Sequence, residues 1–89
     1  MIGVYIRPSE MTEEQYHEIN ERIGAAGIGQ AGLLVHTCFS EGEQLAIFDV
    51  WESEEAFRGF AAQLGGLLAA GGIPALQPMI VSMIDLQIP

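Results

Sequence analysis

Residues 45–60, LAIFDVWESEEAFRGF, constrain the fold more than any other stretch of the chain. Seven alternating residues from Leu45 to Trp51 read as a strand, and Glu52 and Ser53 then turn the chain straight into a helix. Successive side chains on a strand point opposite ways, so Leu45, Ile47, Asp49 and Trp51 share one face while Ala46, Phe48 and Val50 share the other. Both faces are largely apolar and both need cover. Ser53 is placed to accept from the free amides of the first helical turn, and Glu54 and Glu55 sit where the helix dipole favours negative charge. Ala56, Phe57, Phe60, Ala61 and Leu64 then repeat at helical spacing.

The rest of the chain supplies similar elements. Ile2 to Arg7 alternates and is stopped by Pro8, which marks a first strand. Thr12 with Gln15 makes a capping box, and Met11 with Tyr16 stands at the positions of a hydrophobic staple. The stripe Tyr16, Ile19, Ile23, Ala26 predicts a first helix over about 13–26. Glycines 27, 29 and 32 end it. Leu33 to Phe39 is the second strand, and Ser40-Glu41-Gly42-Glu43 is a tight turn. The second helix runs from Glu54 to about Ala70, before Gly71-Gly72. Beyond Pro74 and Pro78, Met79 to Leu86 alternates as a fourth strand. A two-residue and a three-residue hairpin loop place opposite faces of the third strand beside His36, since a one-residue slip swaps faces.

The order βαββαβ is an α+β, ferredoxin-like arrangement: a four-stranded antiparallel sheet with two helices on one face, in a single domain spanning residues 1–89. The second face is left bare. Roughly eight to ten apolar side chains there would expose on the order of 600–900 Å², more than soluble monomers tolerate. Covering that patch offers an upper bound of roughly 15–20 kcal/mol before the cost of association. A homodimer formed by stacking two sheet faces is therefore expected.

Charge excludes several partners. Twelve acidic against three basic residues give a net charge of -9, which repels phosphate backbones and anionic head groups, so neither nucleic acid nor membrane is expected. Short apolar runs broken by Gly and Pro leave no membrane span and no signal-like core, and a cytoplasmic protein is expected. Cys38 is the only cysteine, which rules out an intrachain disulfide and a multi-cysteine metal site. Two histidines, with no further ligand at metal-binding spacing, argue against a dedicated metal.

With DVWESEEAF at the junction of the third strand and second helix, the chain resembles the antibiotic-biosynthesis-monooxygenase group of dimeric α+β barrels, especially its small actinobacterial members. The resemblance covers most of the chain in element order. Its sequence motif is short: an acidic residue, Trp51 two positions on, Ser53 as cap, then Ala56. It implies that Trp51 stands in a pocket wall between sheet and helices. Haem-degrading members carry a histidine on the second helix and an asparagine on the first strand. Here the helix has Phe60 and Ala61 and the strand has no asparagine, so the resemblance does not extend to haem. Quinone-forming members act without a cofactor on electron-rich phenolic rings, so the lack of a flavin or nucleotide signature leaves that reaction open, and no cofactor is expected. Fold alone does not fix activity.

His36, in LLVHTC, is the candidate general acid or base, since imidazole titrates near neutral pH. Its alternative is a hydrogen-bonded histidine of the sheet or of a dimer interface. Asp49 is an acid in an apolar strand and needs a partner: it can orient His36, hold a ligand hydroxyl, or accept from Arg7, Arg58 or backbone amides. Trp51 and Phe48 are candidate stacking walls for an aromatic ligand, and otherwise core. Tyr16 and Tyr5 can each donate a phenolic proton into a pocket, with Tyr16 also completing the staple. Cys38 shares a strand face with His36 at about 7 Å, too far for a direct nucleophile–base bond, and reads as a small buried filler. Together with the resemblance, these residues imply a cofactor-independent monooxygenase or cyclase acting on an aromatic or polyketide-like small molecule. The competing expectation is a non-catalytic binder, or an accessory subunit docking through its acidic helices. An enzyme needs an open cavity with His36 or Asp49 in its wall.

Overall fold

The computed structural model describes residues 1–89. Its elements are β1 (Ile2–Ile6), α1 (Glu13–Ala26), β2 (Leu33–Glu41), β3 (Gln44–Trp51), α2 (Glu54–Ala70) and β4 (Met79–Ser82). The strands form one antiparallel sheet in the order β2-β3-β1-β4, the ferredoxin-like split βαβ arrangement that the pattern of elements predicts. No helix is long and apolar enough to cross a membrane.

Local chemistry explains the element boundaries. Thr12 accepts from the Gln15 amide at 3.1 Å while the Gln15 side chain accepts from the Thr12 amide at 2.9 Å, which closes the capping box of α1. Ser53 caps α2 by accepting from the Ala56 amide at 3.1 Å. Glu41 pairs with Gln44, so the hairpin loop is the two residues Gly42-Glu43, and Gly42 at φ 66° supplies the left-handed first position of a type II′ turn. This loop fixes the register: His36 lies opposite Asp49, and Cys38 opposite Ile47.

Two boundaries differ from expectation. β4 stops at Ser82 instead of Leu86, where Ser82 pairs with Ile2, the first residue of β1. One further bond, from the Met83 amide to the Met1 carbonyl at 3.1 Å, ends the pairing. β2 carries a bulge at Leu34, with Leu33 opposite Trp51 but Val35 opposite Val50. The inserted residue puts Leu33 on the same face as His36, a parity that a regular strand forbids.

The sheet has two unlike faces. Under the helices, Val4, Ile6, Ile47 and Trp51 pack with Phe57 of α2 into one buried cluster. Met11, Ile19, Ile23 and Leu68 form a second where the helices meet. The opposite face carries Tyr5, Val35, Phe39, Phe48, Met79 and Val81 with no layer above them. Met79 is 61% exposed and Val81 42%. This face shelters itself in part: Phe48 lies across Gly3, where a Cβ would meet its ring at 2.8 Å. Ala46 and Val50 are buried there as well.

Candidate active site

Between the sheet and both helices lies a cavity of about 290 Å³, near the lower end of the roughly 300–1,000 Å³ typical of ligand sites. Its wall is mostly apolar. Residues Ile73, Ala75, Leu76 and Pro78 of the connection between α2 and β4 close one end. Besides Gln30, the polar groups are Tyr16, Asn20, His36 and Asp49, four side chains on the side where α1 faces β2 and β3.

Three of those four are joined in a chain. Asp49, 10% exposed at its side chain, has Oδ1 2.6 Å from Nδ1 of His36, whose side chain is 38% exposed. Nε2 of His36 is 2.5 Å from the Tyr16 hydroxyl. The local structure sets each link. The two-residue hairpin puts His36 opposite Asp49, and the capping box fixes the start of α1 so that Tyr16, in its first turn, leans back over β2. The hydrogen bond to Asp49 raises the His36 pKa above its ordinary value, against the opposing effect of burial. Burial raises the Tyr16 phenol, with Asn20 beside it acting the other way.

Arg7 pairs with Glu41 at 3.1 Å, Arg22 with Glu18 at 2.6 Å and Arg58 with Glu54 at 2.8 Å. All three basic side chains are thus engaged outside the cavity, and Asp49 takes the histidine and neither Arg7 nor Arg58. No arginine side chain lines the cavity. Trp51 is wholly buried in the cavity wall, with Phe57 edge-on at 5.9 Å and Phe60 at 5.4 Å between ring centroids. Its indole Nε1 has no hydrogen-bond partner. Cys38 sits near Tyr16 on the same face, and burial pushes its thiol up, away from nucleophilic use. No three His, Cys, Asp or Glu side chains come together in a way that could hold a metal ion.

Of the six residues predicted for the site, the fold brings together Tyr16, His36, Asp49 and Trp51. Phe48 is not a stacking wall for this cavity. It is adjacent in sequence to Asp49, so strand alternation sends it to the open face. Tyr5 is likewise on the open face, where its hydroxyl donates to Glu41 and is raised by that bond. Asn20 was not anticipated. The available signal was its position four residues after Tyr16, which places both on one helix face.

No family model matches the sequence, and none of the curated proteins resembles it in sequence. Solved structures do resemble it in fold. A protein of unknown function from Nitrosomonas europaea, NE2512, superposes with a TM-score of 0.71 at 12% identity, over 99% of this chain and 93% of that one. The cofactor-independent oxygenase SnoaB from Streptomyces nogalater gives 0.62 at 20% identity, over 96% and 93%. The monooxygenase ActVA-Orf6 of Streptomyces coelicolor, in complex with nanaomycin D, gives 0.57 at 20%, over 99% and 90%. At these identities the likeness speaks to architecture, and the chain has the ferredoxin-like βαββαβ fold of the antibiotic-biosynthesis-monooxygenase-like proteins.

Proposed function

We propose that this chain is a cofactor-independent monooxygenase or cyclase that takes an uncharged aromatic small molecule into the cavity and removes a proton from a phenol or enolisable ketone. The observation that carries this reading is the Tyr16–His36–Asp49 chain set into a mostly apolar wall. A ring that loses such a proton becomes electron-rich enough to react with oxygen or to cyclise, and a titrating group in an apolar cavity is what the first step needs. The oxygenase SnoaB and the monooxygenase ActVA-Orf6 share the fold, which supports the reaction class. A non-catalytic binder would need the cavity but no titrating wall.

The working unit we propose is a homodimer in which two open sheet faces stack, burying Phe39, Met79 and Val81 of each copy. The test of the chemistry is an oxygen electrode with anthrone, a ring ketone that enolises to a phenol. The expected result is protein-dependent oxygen uptake, or ring-closed product in its place, that falls by about 10²-fold or more in His36→Gln. Full turnover in that variant would remove His36 from the reaction, and anthrone that neither binds nor reacts would remove the reading.

A further inference from the structure

We infer that the group meeting the ligand's ionisable hydroxyl is the Tyr16 phenol, with His36 and Asp49 as positioning residues behind it. The ligand class rests on the reading above. The order of the groups rests on hydrogen-bonding capacity alone.

A neutral imidazole has one N–H and one lone pair. The Asp49 carboxylate can only accept, so its contact of 2.6 Å holds the proton of neutral His36 on Nδ1. The lone pair is then on Nε2, where the Tyr16 hydroxyl donates at 2.5 Å. Both nitrogens of His36 are spoken for. The two ring planes are 12° from parallel and their centroids 6.1 Å apart, a separation the hydrogen bond spans end to end. The phenol therefore lies edge to edge with the imidazole in nearly one plane, with its hydroxyl on the side of the lone pair. Tyr16 lines the cavity, and its oxygen still has lone pairs of its own. A ligand hydroxyl arriving on this side finds that oxygen as its acceptor.

The step balances as a double proton transfer. The ligand O–H bond breaks as a new O–H forms on Tyr16, and the original Tyr16 proton passes to Nε2. The ligand becomes an oxyanion, Tyr16 is neutral before and after, and His36 ends as an imidazolium held by Asp49. No electron changes hands. The other titratable groups around this chain are His17, edge-on to the Tyr16 ring at 5.4 Å, with Glu13 and Cys38.

Nitrogen NMR of the intact chain tests the order without any ligand. Above the titration of His36, with His17→Gln used for assignment, we expect a protonated Nδ1 and a bare Nε2, and Asp49→Asn should release the Nε2–H form. A wild-type spectrum with the proton on Nε2 overturns the inference. Alizarin, a hydroxyanthraquinone whose colour reports ionisation, supplies the second arm. Bound to the wild type it should ionise at lower pH than in solution, and Tyr16→Phe should retain the dye but cut its ionised fraction at least tenfold. Undiminished ionisation in Tyr16→Phe would mean that His36 takes the proton directly. A dye that fails to bind wild type counts against the proposed ligand class, while the NMR result still decides the order of the groups.

Discussion

The two faces of this sheet are built from the same strands and almost the same kinds of residue, yet they are stabilised differently. On the helix face, Val4 and Trp51 are fully buried within a single chain, and Tyr16, His36 and Asp49 are bonded to one another. On the open face, only residues sheltered by their neighbours are buried, and the larger side chains at its margins, Phe39, Met79 and Val81, stay exposed. One face is completed by the chain's own helices. The other is complete only if something else covers it. The difference shows where a small domain keeps its chemistry: in the layer whose geometry it controls by itself.

The largest predicted effect separates the faces by stability. Trp51→Ala removes the biggest wholly buried side chain and should cost about 3–5 kcal/mol, enough to unfold much of an 89-residue chain at ambient temperature. Phe48→Ala, on the open face, should cost less in denaturant titrations at low concentration and more as concentration rises. Equal costs at every concentration would erase the distinction. Next in size, Val81→Asp with Met79→Asp puts charge on the open face alone. We expect it to halve the solution mass to the 9.6 kDa of a single chain and to leave the His36 signals unmoved. A wild type already at the single-chain mass, still folded at micromolar concentration, would refute the stacked dimer.

Much of this architecture is legible in the residues. Capping signals at Thr12 and Ser53, strand alternation, and the order of elements lead to the topology directly, because each is a local preference that the fold obeys. What could not be read was pairing. Whether His36 meets Asp49 depends on a hairpin loop of two residues or three, and SEGE permits either until Gly42 is seen at the first loop position. The bulge at Leu34 depends on how β2 meets β3 over its whole length, and no residue type announces it. Tyr16 shows the same limit from another side. Its ring packs against the Met11 cluster as the staple pattern predicts, but that its hydroxyl then reaches His36 is a fact of tertiary geometry.

Asp49→Asn sharpens the comparison through pH. The folded-state pKa of His36 is raised by its bond to Asp49, so the stabilisation is fully present below the unfolded value of about 6.5 and is lost as pH rises through the folded value. Wild-type stability should therefore decline across that window, while Asp49→Asn should lack the decline and bring the His36 titration to lower pH. Activity runs the other way. A proton acceptor must be neutral, so turnover should rise with pH over the same window. A His36 titration that stays in place in the variant would deny the pair its role.

The smallest effect concerns the helix layer alone. Thr12→Ala and Ser53→Ala each remove one helix cap and should each cost about 1 kcal/mol in thermal unfolding. They should part company at His36. Tyr16 lies in the first turn of α1, fixed by Thr12, so loosening that turn should weaken the Tyr16–His36 hydrogen bond and shift the Nε2 resonance. The first turn of α2 carries none of the three linked residues, so Ser53→Ala should leave that resonance where it is. Neither variant touches the open face, and both should keep the wild-type mass. If the two caps shift Nε2 alike, the position of Tyr16 is set by general compactness of the helical layer and not by the capping box that starts its helix.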